Sequence, residues 1–266
     1  MKKILGVLLM LSMAIGGIVI ATNTTKDVQA ATTIQSNRWY EGMTDGYDEQ
    51  VYTYKVQGPG YFYYQVVPDQ AGHYYDGEFY DTTSHYVQTS MIKNYKSYEN
   101  NQNANYSDGG FESSNYSFKA GDIVTIKVKD YMSYYRTHYK IKVTFVKVKN
   151  FERENNNSRS KANKIKKGVT YTGLTTSNDP DWFVFKAPKT KKYKVKAVVT
   201  SETSWSIDTN VYRGYKSKGY VSLRQGEGWK TAYSGKLKKG QKIYIKLDNG
   251  GLYDNYSSRM YKIKVK

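Results

Sequence analysis

The chain contains no cysteine. Disulfides, thiolate metal sites and cysteine nucleophiles are excluded, so packing and hydrogen bonds alone must hold any core. Histidine occurs three times, as His73, His85 and His138. No H-E-x-x-H helix and no G-x-S-x-G turn accompanies them, so the usual metalloprotease and serine-hydrolase constellations are missing. Carboxylates are scarce, 23 against 41 Lys and Arg, which leaves a formal charge of +18. Carboxylate pairs such as Glu78 with Asp76 or Asp81 fall in a Tyr-rich turn without strand ends to set their spacing for glycosidase chemistry. No window repeats apolar residues with the helical period, and no Gly-rich phosphate loop is present. Catalysis is not expected.

After residue 20 no apolar run is long enough to cross a bilayer. Before it, Lys2 and Lys3 precede the apolar stretch Ile4 to Ile20, and Val28-Gln29-Ala30-Ala31 supplies small residues at a cleavage position. Residues 1–30 read as a secretory signal, so the mature protein is expected outside the cell without a membrane span. A Cys-free exported chain fits a Gram-positive bacterium.

What is abundant is alternation. VYTYKV, YFYYQVV, IVTIKVK, YKIKVTFVKV, WFVFKA, YKVKAVV and KIYIKL each alternate side chains with the period of a strand, separated by Gly, Asn, Asp and Ser. Tyrosine occurs 29 times. It suits strands and offers a broad apolar ring with a polar tip. The class is all-β.

The string YKIKV occurs at 139–143 and again at 261–265. GDIVTIKV (121–128) parallels GQKIYIKL (240–247), Tyr61–Val67 parallels Tyr193–Val199, and Asp45-Gly-Tyr-Asp48 parallels Asn178-Asp-Pro-Asp181. The order is kept, which predicts two tandem antiparallel β-sandwich domains, 31–149 and 150–266, after the signal peptide. In each repeated string the tyrosine and isoleucine share a parity and face inward, and the lysines face water. The strings are scaffold, and function is expected where the copies differ. The polar middle of the first copy, residues 69–115 with KNYKSYENNQNANYSDGG, reads as long loops with short edge strands at most.

Residues 152–266 resemble the bacterial pre-peptidase C-terminal domain. The resemblance rests on Glu154-Asn155-Asn156-Asn157, Ala162, the strand from Gly168 to Gly173, and Asn178-Asp179-Pro180-Asp181-Trp182-Phe183-Val184-Phe185. It is similar in particular to the collagen-binding domains of clostridial collagenases. That implies a jelly-roll-like sandwich with calcium held by Glu152, Glu154, Asn156, Asn178, Asp179 and Asp181. Hard oxygen ligands of this kind suit calcium. Asn157 and Asn178 stand where those relatives carry Asp, and each swap removes a negative charge. The first copy keeps Asp45 and Asp48 but has no acid in residues 34–38, so a full site is expected only in the second.

The functional expectation is a secreted, non-catalytic protein that binds an extracellular polymer such as collagen or a glycan. Tyr131, Tyr134, Tyr135, Tyr212, Tyr215 and Tyr220 lie in polar stretches and are the candidate surface. The second expectation is a basic structural protein held on anionic cell-wall polymers through its charge. Export argues against nucleic acid.

Overall fold

The computed structural model describes residues 30–266 other than 47, 76–77, 82–85, 131–134, 177–178, 202–205 and 250–257. The leader, Tyr131, Tyr134, His85 and Asn178 lie outside the described residues, as do the side chains of His73 and Tyr135.

The chain is built of strands, as its alternation predicts. In the N-terminal half these are β1 (Thr32–Ile34), β2 (Trp39–Asp45), β3 (Glu49–Lys55), β4 (Gly60–Tyr75), β5 (Glu78–Asp81), β6 (Tyr86–Lys93), β7 (Lys96–Asn105), β8 (Phe111–Glu112), β9 (Ile123–Asp130) and β10 (Tyr135–Lys147). One sheet runs β1-β3-β9-β6-β7. The other runs β2-β10-β4-β5, with β8 also on β4. The C-terminal half contains β11 (Asn163–Ile165), β12 (Thr170–Thr175), β13 (Asp181–Lys186), β14 (Lys191–Val199), β15 (Ile207–Arg213), β16 (Lys216–Leu223), β17 (Lys230–Leu237), β18 (Lys242–Asn249) and β19 (Arg259–Val265). Its sheets run β11-β13-β18-β15-β16 and β12-β19-β14-β17.

With β8 in the place of β17, and apart from β5, which has no counterpart, the two halves share one strand order. β1 pairs with β3 in parallel, as β11 does with β13, a departure from antiparallel pairing that each half repeats. Each half buries its own core between its two sheets, around Phe62, Tyr64, Ile126 and Ile141 in one and Phe183, Phe185, Ile245 and Ile263 in the other. Each fully buried apolar side chain of this size contributes roughly 1.5–3 kcal/mol.

Several core tyrosines bond through their hydroxyls. Tyr52 and Tyr139 join hydroxyls at 2.8 Å, and Tyr193 donates to the Lys189 carbonyl at 2.8 Å. The repeated strings have the expected parity: Tyr139, Ile141, Tyr261 and Ile263 are buried.

Two expectations need correction. Residues 86–105 form β6 and β7, not loops, and β6 lies inside its sheet between β9 and β7. Its inward row is Val87, Thr89, Met91 and Lys93, polar enough to hide the pattern. Lys93 is buried because its amine meets Asp122 at 2.6 Å and lies over the Phe118 ring. The second correction is register. Val66 faces Ile141 across the ladder and Ala197 faces Ile263, so Phe62, not Tyr61, holds the place of Tyr193. By the same reasoning Gln50, opposite Val128, holds the place of Asp181, opposite Leu247.

Candidate metal centre

The centre forms where the segment before β11 runs alongside β12. Glu152 N–H donates to the Thr172 carbonyl at 2.9 Å, and Thr172 N–H donates to the Asn150 carbonyl at 3.1 Å. This pairing turns Glu152 inward, where Oε1 accepts the Leu174 N–H at 2.6 Å. Four residues on, the Asn156 carbonyl accepts the Trp182 N–H at 3.0 Å, which ties it to the start of β13. Asp181 opens β13 fully buried. From β19, across both sheets, Tyr261 places its hydroxyl 2.8 Å from Glu152 Oε2 and 2.7 Å from Asp181 Oδ2.

Glu152, Glu154 and Asp181 each bring a carboxylate oxygen within 4.8 Å of the others. Asn156 joins them: its Nδ2 donates to Glu152 Oε2 at 3.2 Å. Asp179 lies beside the group and accepts from Asn157 Nδ2, and its backbone carbonyl takes the Thr175 hydroxyl at 2.8 Å. Glu152, Glu154, Asn156 and Asp181 are thus assembled, with Asp179 at the margin. Asn178 lies outside the described residues.

Burial governs the electrostatics. Taking a carboxylate out of water disfavours its charge, and neighbouring carboxylates add to the effect. Burial raises Glu152 to about 7. Burial, then Glu152 and Asp179, raise Glu154 to about 9. Burial also raises Asp179 to about 6, against the pull of Lys96 and Lys93 from the N-terminal half. Asp181 is pushed well above the carboxylate range by burial and by the other three acids. The Tyr261 hydroxyl carries one proton and can serve only one of its two carboxylates at a time.

A cation fits this arrangement. Glu154 Oε1, Asn156 Oδ1 and Asp181 Oδ1 are buried without a hydrogen-bond partner, and all three are acceptors. Buried acceptors are normally satisfied. Every side chain around the gap offers oxygen, the donor set of a hard divalent ion and not of zinc or copper. Gly173 completes the wall. A Cβ there would lie 2.1 Å from the Tyr261 hydroxyl and 2.6 Å from Glu152 Oε2, so only glycine allows the approach.

Sequence reasoning assigned Tyr261 to the scaffold and missed its place at the centre. The N-terminal half shows what the scaffold does without the acids. There Tyr139 holds the place of Tyr261 and Tyr52 that of Phe183. The two tyrosine hydroxyls bond each other, and Gly42 makes the same close approach as Gly173.

The candidate tyrosines of the C-terminal half belong to the sheet of β13, β18, β15 and β16. Tyr212 is half-buried and stacks on Trp182 with ring centroids 5.6 Å apart. Tyr215 is 96% exposed, with the Arg159 guanidinium 5.0 Å from its ring. The same guanidinium lies 4.1 Å from Tyr244. Tyr220 is 58% exposed and donates to Asp208 at 3.0 Å. Trp182, Tyr244 and Arg159 were not anticipated as members of this surface. Trp182 and Tyr212 lie on strands either side of β18, a proximity that strand order alone creates.

No protein-family model and no curated protein matches the chain. Among solved structures it is similar to the pre-peptidase C-terminal domain of collagenase from Bacillus anthracis, with 20% identity over 40% of this chain and 94% of that one, at a TM-score of 0.31. The tandem CBM22 domains of Paenibacillus barcinonensis Xyn10C match at 8% identity over 87% of each chain, with a TM-score of 0.27. The CUB1-EGF-CUB2 region of human MASP-1/3 matches at 9% identity over 86% of this chain and all of that one, with a TM-score of 0.23.

Proposed function

We propose that this is a secreted, non-catalytic binding protein for an extracellular polymer. It would comprise two β-sandwich modules, 31–149 and 150–266, the second of the pre-peptidase C-terminal type. Calcium is the ion we assign to Glu152, Glu154, Asn156 and Asp181, where it would neutralise buried charge and tie the segment before β11 to β12 and β13. Its part would be structural, holding these three segments together.

The observation that carries the binding reading is the outward aromatic group of the second module. Trp182, Tyr212 and Tyr244 stand together on the water-facing side of one sheet, with Arg159 against Tyr244 and Tyr215. Rigid rings with polar tips and a cation beside them suit a ridged protein fibre or the faces of sugar rings. Sedimentation of the purified chain with insoluble collagen and with insoluble polysaccharides tests this. Binding at moderate salt that is lost in Trp182→Ala/Tyr212→Ala supports it. Absence of binding to every polymer at low and moderate salt would refute it.

A further inference from the structure

The opposite sheet of the same half carries a different surface. Its alternating segments YKVKAVV and YKIKVK turn Lys192, Lys194 and Lys196 of β14 and Lys262 and Lys264 of β19 away from the core, and only Val198 and Met260 interrupt these outward rows. The register then sets these lysines against one another. Lys196 lies directly opposite Lys264. Lys194 and Lys266 exchange both backbone hydrogen bonds, at 3.1 and 2.9 Å. Lys192 lies opposite Lys236 of β17. Lys262 extends the row along β19.

Like charges facing each other across a ladder destabilise a sheet. Nothing on this sheet relieves them, because β12, β14, β17 and β19 contain no Asp or Glu at all. Among the described residues none of these seven lysines forms an ion pair. Burial, then Lys266 and Lys196, lower the pKa of Lys264.

The N-terminal half shows that the fold does not require this. Lys140 holds the place of Lys262, but it pairs with Asp69 at 3.0 Å. On the same sheet Arg136 pairs with Asp45 at 2.9 Å. One sandwich sets acids beside two basic residues of its outward sheet, and the other has no acid in the four strands of its own.

Such a face fits a linear anion. Alternate residues of a strand are about 7 Å apart and neighbouring strands about 5 Å, so the ammonium groups form a grid. Lysine is a point charge that satisfies an anionic oxygen without demanding a fixed plane. A polymer with bases would also need stacking platforms. The outward positions of these four strands carry no aromatic residue, and the neighbouring Trp229 is capped by Lys264, whose Nζ lies 3.6 Å from the ring centroid. We propose that this lysine face binds a linear phosphodiester polymer without bases, of the poly(glycerol phosphate) type. This surface is separate from the aromatic group and does not depend on what that group binds.

The test measures binding of the purified chain to poly(glycerol phosphate) across a salt series. It compares Lys194→Gln/Lys196→Gln/Lys262→Gln/Lys264→Gln with a control of equal charge change at acid-paired basic residues away from this sheet, Lys127→Gln/Arg136→Gln/Lys140→Gln/Lys246→Gln. The face variant should bind at least roughly tenfold more weakly at low salt, and its log–log salt slope should flatten by about 3. The control should stay within about threefold, and Trp182→Ala/Tyr212→Ala should bind as the unmodified chain does. Lys→Arg at the four face positions should retain binding, which separates charge from packing. Equal losses in face variant and control would reduce the effect to net charge and overturn the proposal. Tighter binding to a single-stranded oligonucleotide of matched charge would overturn it in favour of a base-bearing ligand.

Discussion

The hydroxyl of Tyr261 lies 2.7 Å from Oδ2 of Asp181, and the two residues are 80 positions apart in the chain. The same hydroxyl reaches Glu152. In the other sandwich Tyr139 reaches the neutral hydroxyl of Tyr52 instead. One strand position thus supports an acidic centre in one half and a tyrosine pair in the other. Tyr261→Phe removes the donor from two buried carboxylates and should destabilise the protein by about 1–3 kcal/mol. It should also weaken calcium binding. Tyr139→Phe should lower stability alone and leave the calcium response intact. Thermal unfolding of both variants with calcium and with chelator distinguishes the two effects.

Calcium itself should raise the unfolding midpoint. An ion bound only by the folded state stabilises it by about 2.7 kcal/mol at a hundredfold excess over its dissociation constant. Millimolar calcium should therefore shift the midpoint upward, and Asp181→Asn or Glu154→Gln should abolish most of the shift. An unchanged midpoint in the unmodified protein would remove calcium from this centre.

The strands were legible because a half-buried strand writes its period directly, as in VYTYKV and KIYIKL. Register was not legible at YFYY, where both parities are aromatic and a slip of one residue leaves the pattern unchanged. That is why Tyr61 was matched to Tyr193 when Phe62 is its counterpart. β6 was missed because Thr89 and Lys93 occupy inward positions, satisfied by Tyr64 at 3.4 Å and Asp122 at 2.6 Å, partners distant in sequence. At the centre, Glu152, Glu154 and Asp181 were visible as a local concentration of acid in a basic chain. Tyr261 was not, because its role exists only once β19 lies beside β12 and opposite β13.

Metal-free stability should fall as pH rises, and the stabilisation that calcium adds should grow over the same range. In the metal-free protein the folded state holds Glu152 near 7 and Glu154 near 9, both raised by burial. In the unfolded chain a glutamate titrates at about 4.3. The unfolded state therefore releases its protons first, and stability falls as pH rises from about 4 through the folded-state values. Chelator-treated protein should be more resistant to urea at pH 5 than at pH 8. Calcium requires ionised ligands, so its stabilising effect should grow over the same interval. Glu154→Gln should flatten the metal-free profile. A profile that rises between pH 5 and 8 in chelator would contradict the buried, proton-holding centre.

Gly173 and Gly42 offer matched tests of the close approach beneath the paired tyrosines. A methyl group at Gly173 would lie 2.1 Å from the Tyr261 hydroxyl, and one at Gly42 would lie 2.4 Å from the Tyr52 hydroxyl and 2.5 Å from Tyr139 Cζ. Neither ring can withdraw, since Tyr139 and Tyr261 are enclosed on all sides. Overpacking of this kind costs about 1–3 kcal/mol, so Gly173→Ala and Gly42→Ala should lower the unfolding midpoint by similar amounts. Their calcium responses should differ. Displacing the Tyr261 ring moves the hydroxyl that stands between Glu152 and Asp181, so Gly173→Ala should also raise the calcium concentration needed for half-maximal stabilisation. Gly42→Ala should not change it, because no carboxylate depends on Tyr139. A calcium titration of the unfolding midpoint for both variants reads this difference, and an equal displacement in the two would separate the tyrosine from the metal centre.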